Sequence, residues 1–232
     1  MRDFTLADLP HTPARQVGVW SNEDPEWHEF RATPGFVSGT MAGTIAGLSK
    51  WESAVELWEK KTNRHIELGW ANESMLWGSL LEPVIIEQFQ ARHPELEVLT
   101  NCGSWLGADG WSVANPDGLY RAQDGVTRLI EVKTAAYPYG WDVPSEGVTG
   151  DSDGVPAHYN AQVQWYLRVL GLDQATLIAL FSGSKYREYV INADPHWQYA
   201  DYQQAIKFRD CVLNDVEPDW PDANARLEKR KK

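Results

Sequence analysis

Nowhere in the 232 residues is there an apolar run approaching the roughly 18 that a membrane span needs, and the opening MRDFTLADLPHTPARQ lacks the apolar segment of a secretory signal. The expectation is a cytoplasmic protein with no membrane association. Cysteine is nearly absent. Cys102 and Cys211 stand alone, without metal-ligand spacing and too few for a disulfide framework, so reduced thiols are expected. Basic residues are scarce as well: 21 Lys and Arg face 33 Asp and Glu, for a formal net charge of -12. That balance argues against indiscriminate binding to nucleic acid, because phosphate contacts are made by Lys and Arg; any such contact must be local. Arg226, Lys229, Arg230, Lys231 and Lys232, offset by Glu228, form a basic tail. It reads as a solvated end able to add a nonspecific phosphate contact. No internal repeat is visible.

What is present suits one folded domain. Hydrophobic residues make up 43% and charged residues 23%, as in soluble globular chains. Residues 1–36 carry Pro10, Pro13, Pro25, Pro34 and Gly35 and read as an N-terminal extension with a short helix around Glu26 to Phe30. Residues 37–215 read as the domain and 216–232 as the tail. A stretch of small residues, Thr40 to Gly47, opens with Thr40 as a helix N-cap. Helical spacing follows over Ser53 to Thr62. Glu73 to Arg92 reads as an amphipathic helix burying Leu76, Leu80, Val84 and Phe89, with Pro83 bending it or starting a second segment. From Leu96 the pattern changes to short glycine-punctuated strands, including Arg128 to Thr134. Residues 138–156 form a long loop, Ala157 to Leu170 a helix stopped by Gly171, Thr176 to Phe181 and Arg187 to Ile191 a strand pair, and Pro195 to Val212 a last helix. This order predicts an α/β fold with a mixed central sheet flanked by helices.

The chemistry concentrates at Pro116-Asp117-Gly118 and Glu131-Val132-Lys133. Strand alternation puts Glu131 and Lys133 on one face and Val132 on the other, and Asp117 can approach Glu131. Two carboxylates forced together repel unless a cation lies between them, and hard oxygen ligands suit Mg²⁺, with Mn²⁺ as a substitute. Lys133 can hydrogen-bond an attacking water or stabilise charge on a phosphate. Taken alone, the same pattern also describes an ordinary hairpin with a surface Glu131–Lys133 ion pair. The 12 tryptophans divide into Trp58, Trp77 and Trp165, assigned to packing, and Trp51, Trp111 and Trp141, assigned as candidates to line a DNA path.

Asn115-Pro116-Asp117-Gly118 and Glu131-Val132-Lys133, with Trp27-His28-Glu29-Phe30-Arg31, Thr40 to Gly47, Trp51 to Trp58, Gly78-Ser79-Leu80-Leu81-Glu82-Pro83 and Ala161-Gln162-Val163-Gln164, resemble the PD-(D/E)xK nuclease superfamily. More narrowly they resemble the YqaJ-type viral recombinases, the group of the phage lambda exonuclease and related alkaline exonucleases. The resemblance runs from about Trp27 to Phe181. It implies a restriction-endonuclease-like fold and a Mg²⁺-dependent 5′→3′ exonuclease on double-stranded DNA ends. It implies catalytic Glu82, Asp117, Glu131, Lys133 and Gln162, a metal held by Asp117, Glu131, the Val132 carbonyl and Glu82, and a 5′-phosphate pocket of Arg31, Thr40 and Asn115. Thr40 and Asn115 stand where the family has serines. A ring-shaped homotrimer, a single-strand annealing partner and a phage or prophage recombination role are further implications. An endonuclease, a RecB-like repair nuclease and a non-catalytic DNA- or partner-binding module are the alternatives.

Overall fold

A computed structural model describes residues 13–20, 24–62 and 73–220; the cations of the basic tail from Arg226 onward lie outside the described residues. The elements run β1 (Arg15–Gly18), α1 (Pro25–Ala32), β2 (Val37–Ser38), α2 (Gly39–Ile45), α3 (Ala54–Lys61), α4 (Glu73–Arg92), β3 (Glu97–Leu99), β4 (Ser104–Leu106), β5 (Ser112–Ala114), β6 (Gly118–Arg121), β7 (Thr127–Ala135), α5 (Ala157–Leu170), β8 (Gln174–Phe181), β9 (Lys185–Asn192) and α6 (Pro195–Asn214). No helix among the described residues is long and apolar enough to cross a membrane. Cys102 and Cys211 are both free thiols.

The strands build two sheets, a smaller one in the order β1-β4-β5-β2 and a five-stranded one in the order β3-β6-β7-β8-β9. In the larger sheet β7 and β8 are parallel, with α5 as their crossover, and the other pairs are antiparallel. Alternation along β7 separates two cores. Ile130 and Val132 face α4, packing with Ile85, Ile86, Phe89, Tyr120 and Ile178. Leu129 joins Leu119, Leu177 and Phe181 in the larger cluster with α5 and α6. Burying a residue of this size stabilises by about 1.5–3 kcal/mol.

Local chemistry explains several helix ends. Ser53 and Glu56 form a reciprocal capping box on α3, Asp194 caps α6 through the His196 and Trp197 amides ahead of Pro195, and Gly171 closes α5 at φ 67. At the start of α2 the cap is Ser38, not Thr40, and the Thr40 hydroxyl lies 2.9 Å from that of Ser38. The small residues of α2 have another use. A Cβ at Gly39 would strike the Tyr166 ring, and one at Gly43 would lie 2.9 Å from the His158 carbonyl oxygen, so these glycines let α2 lie directly along α5.

The expected helix around Glu26 to Phe30 is present as α1, which buries Trp27, and the proline-rich stretch before it also contributes β1, paired to β4. At the start of the tail, Pro218 is buried and Trp220 packs on the main core. Helix α4 continues through Pro83 as one element, and its apolar periodicity misassigns the buried face: Leu76, Leu80 and Val84 are each more than half exposed, as is Trp77, while Ile85, Ile86 and Phe89 are covered. The Val84-Ile85-Ile86 run fits either rotation of the helix, and the sheet takes the latter pair.

The long loop is fastened down. Gly150 bridges to Tyr189 of β9 in parallel fashion, donating to the Glu188 carbonyl at 2.9 Å and accepting from the Val190 amide at 3.0 Å. Tyr189 Oη donates to the Asp142 carbonyl and Arg187 Nε to that of Pro144.

On α6, Asp201 is 8% exposed and accepts a 2.9 Å hydrogen bond from Trp197 Nε1. Burial pushes its carboxyl up to about 7 against that bond. The folded state therefore holds a proton that the unfolded chain gives up near pH 4, and stability falls as pH rises from about 4 to about 7. Asp201→Asn is expected to raise stability at pH 8 by about 1–3 kcal/mol and to leave it unchanged near pH 4. Thermal melts of both proteins at the two pH values check this; equal melting temperatures at pH 8 would refute it.

Candidate active site

The carboxylate of Glu131 is the centre of the site. Strand β7 aims it at α5, where it is 1% exposed. A buried carboxylate needs partners, and one oxygen has them: Oε1 accepts from Lys133 Nζ at 2.6 Å and from Gln162 Nε2 at 2.6 Å. The ordinary surface ion pair is thereby ruled out, since the Lys133 side chain is also only 17% exposed. Glu131 Oε2 is buried without a hydrogen-bond partner. An orphaned acceptor of this kind in a cleft marks a place for something else to bind.

Asp117 is placed by backbone economy. Pairing of β6 with β7 ends at Gly118 opposite Ile130; two residues further along β7, the Val132 amide donates to Asp117 Oδ2 at 2.8 Å. In an extended residue the carbonyl points to the same side as the amide. The Val132 carbonyl is thus directed to the side of Asp117, beyond the reach of β6.

Glu82, in the middle of α4 immediately before Pro83, completes the acidic group. Burial, reinforced by Asp117, pushes its carboxyl up to about 7. Burial and Asp117 likewise raise Glu131 to about 8, with Lys133 opposing, and burial raises Asp117. Burial is the main cause in all three, and the ammonium of Lys133 offsets it only in part. Among the described residues, no three His, Cys, Asp or Glu side chains stand ready as a metal-binding group. The donor set still fits a hard divalent ion that keeps several waters, through Glu131 Oε2, Asp117 and the Val132 carbonyl, with Glu82 beside them.

All the predicted site residues line one cleft of about 490 Å³: Glu82, Asp117, Glu131, Val132, Lys133 and Gln162, together with Arg31, Thr40 and Asn115. Asn115 Oδ1 is buried there without a partner. Arg31 lies over the Trp27 ring, and Lys61, whose ammonium donates to the Arg31 carbonyl at 2.7 Å, is lowered to about 8 by burial and by the Arg31 charge.

Sequence reasoning missed Tyr166 and His158, which flank Gln162 on α5 at four-residue intervals and line the cleft. The i, i+4 spacing from Gln162 was the available signal. Tyr166 Oη accepts from Gln162 Nε2 at 3.3 Å. Among the tryptophans assigned to a DNA path, Trp111 is core, stacked on Tyr202 at 5.2 Å, and Trp141 packs on Phe181 and Tyr189. Trp51 lines the cleft and is 51% exposed.

Residues 26–173 match the sequence profile of the YqaJ-like viral recombinase domain. The uncharacterized protein YqaJ of Bacillus subtilis is 28% identical over 214 residues, covering 84% of this chain and 59% of the relative. The chain therefore spans about three fifths of that relative's length. An alkaline exonuclease from Laribacter hongkongensis superposes with a TM-score of 0.56 at 18% identity, and its complex with dAMP with 0.59 at 20%. Both comparisons cover 90% of this chain and 97% of the other. The architecture they share is restriction-endonuclease-like.

Proposed function

The chain belongs to the family of YqaJ-like viral recombinase domains, and from that premise we propose that it is a Mg²⁺-dependent deoxyribonuclease that digests double-stranded DNA from its 5′ ends, in recombination by single-strand annealing. The observation that carries this reading is the buried Glu131 carboxylate, held by Lys133 and Gln162 on one oxygen and left without a partner on the other, with Asp117 alongside.

Asp117, Glu131 and the Val132 carbonyl would hold the ion, with Glu82 beside it or through water. Bound there, Mg²⁺ supplies a water of lowered pKa and neutralises charge on the scissile phosphate. Gln162 and Lys133 fix the Glu131 carboxylate in one orientation. The Lys133 ammonium, 5.3 Å from the Tyr159 ring centre, is placed to orient the attacking water and to offset charge as the phosphate oxygens become more negative. Glu82, with its raised affinity for a proton, can accept one from that water or give one to the leaving oxygen.

Arg31, Thr40 and Asn115 form the proposed 5′-phosphate pocket. Support comes from Lys61, whose ammonium donates to the Arg31 carbonyl and adds a second cation near the pocket, and from the buried Asn115 amide. Its oxygen and nitrogen can exchange places to present a donor. The related alkaline exonuclease binds dAMP, a deoxynucleoside monophosphate of the kind that stepwise end digestion releases. A ring of three subunits around DNA and an annealing partner for the exposed 3′ strand belong to the same reading.

Linear duplex labelled separately at its 5′ and 3′ ends, with closed circular duplex as control, tests the proposal. Early 5′-labelled mononucleotide from the linear substrate alone supports it. Cutting of the circle indicates an endonuclease instead, and no cutting with Mg²⁺ or Mn²⁺ indicates a binding module. Arg31→Ala is expected to lower kcat/KM by about 10- to 100-fold on 5′-phosphorylated ends, the worth of a charge-assisted hydrogen bond, and far less on 5′-hydroxyl ends. Equal losses on both substrates would remove Arg31 from the phosphate pocket.

A further inference from the structure

The cleft is longer than the acidic centre and the phosphate pocket require. Helix α5 orders its contents: His158, Gln162 and Tyr166 succeed one another at one-turn intervals of about 6 Å. Helix α2 runs alongside in the opposite sense, with Gly39 against Tyr166 and Gly43 against His158. Thr40 of the phosphate pocket follows Gly39, which lies against the Tyr166 ring, so that pocket lies toward the Tyr166 end, with the Glu131–Gln162 centre in the middle. The His158 end has no role in either.

That end is built from aromatic rings. Trp51 stands edge-on to His158 at 4.9 Å and 79° and lies 6.3 Å from Tyr159, whose ring is 4.0 Å from that of His158. The Lys50 ammonium is 4.8 Å from the Trp51 ring centre. Trp51 is half exposed within the cleft, and His158 Nε2 is buried with no hydrogen-bond partner. An indole held in place by a neighbouring ring yet open to solvent, a nearby cation and an unpaired ring nitrogen together suit one nucleotide: a base to stack, a phosphate to neutralise and a polar edge to bond.

We infer that Trp51 and His158 form a base-stacking subsite for the second nucleotide of the strand, the one on the far side of the scissile phosphate from the 5′-phosphate pocket. The inference rests on the proposed nuclease reading for its direction along the strand. The interval from Gln162 to His158 is roughly two base steps at about 3.4 Å each, which suits a nucleotide following the one being released. Trp51 then grips the strand that remains after each cleavage.

The test measures binding of a 5′-phosphorylated duplex labelled at its far end, by fluorescence anisotropy with Ca²⁺ in place of Mg²⁺. The second nucleotide from the 5′ end is either ordinary or abasic. Trp51→Ala is expected to bind the ordinary duplex about 10-fold more weakly, and Trp51→Phe, which keeps a stacking face, to recover most of that. Removing the base should weaken the wild type by a similar factor and the alanine variant hardly at all. If Trp51→Ala binds both duplexes as the wild type does, or loses equally on both, the subsite is refuted, and so it is if the wild type binds no duplex end. Parallel digestion with Mg²⁺ separates the two readings: base-dependent binding without cleavage rejects the nuclease proposal and leaves the subsite standing.

Discussion

Lys133→Ala is expected to cut the single-turnover rate of end digestion by about 10³-fold, comparable to the loss of an oriented donor at a charged transition state, while the protein still folds. The Lys133 ammonium has a buried carboxylate as its direct partner at 2.6 Å, and although burial works against its charge, the attraction of Glu131 and Asp117 outweighs that and raises its affinity for a proton. It stays charged across the working pH range. Removing it leaves Glu131 with Gln162 as its remaining side-chain donor, and that carboxyl, already raised to about 8, takes up a proton instead of staying buried as an ion. The loss of stability is therefore small beside the loss of rate. Circular dichroism melts alongside rapid-quench digestion distinguish them; a variant retaining more than a tenth of the rate would remove Lys133 from the chemistry.

Glu131→Gln is expected to abolish digestion to the same degree and to stabilise the metal-free protein at pH 8 by about 1–3 kcal/mol, the scale of an unsatisfied buried polar group. Burial and the neighbouring acids raise the Glu131 carboxyl above its unfolded value. Its proton is held in the folded state and released in the unfolded state between about pH 4.5 and about pH 8, so the wild type loses stability as pH rises through that window. The amide is neutral throughout, can still accept from Lys133 and Gln162, and removes one of three mutually repelling charges. A thermal shift with Mg²⁺ provides the second readout. The ion should raise the wild-type melting temperature more at pH 8 than at pH 5, where protons occupy the acids, and should raise that of the glutamine variant little. Activity surviving in Glu131→Gln, or a lower melting temperature at pH 8, would show that the site does not store this repulsion.

The opposition of stability and activity at Glu131 also explains why the site was readable in sequence. Residues that a fold alone would not choose, such as a buried acid beside another acid, are conspicuous in a short strand. Asp117, Glu131 and Lys133 could be placed together by alternation and a hairpin. Glu82 and Gln162 are unremarkable on their own helices, and they were found through the resemblance of several blocks in order. Tyr166 and His158 stayed hidden because a tyrosine and a histidine on a helix so thoroughly buried look like packing. The fold was legible where caps, glycines and period-two runs agreed, as at α3, α5 and the β8–β9 pair. It was misread where burial depended on a distant partner. Trp111 is covered because Tyr202 of α6 stacks on it, and nothing local announces that. The exposed Leu76, Leu80 and Val84 of α4 share their helical period with residues that do meet the sheet.

The bridge from Gly150 to Tyr189 gives β9 a neighbour on its outer side. An outermost strand with free amides and carbonyls is a template on which another chain can add itself. Here the molecule's own loop satisfies that template at the middle of β9, and Gly150 is needed there because a Cβ would press into the Tyr189 ring. Substituting Gly150 would loosen the loop without touching the catalytic groups, and the damage would appear as self-association through the uncovered strand before it appeared as lost chemistry.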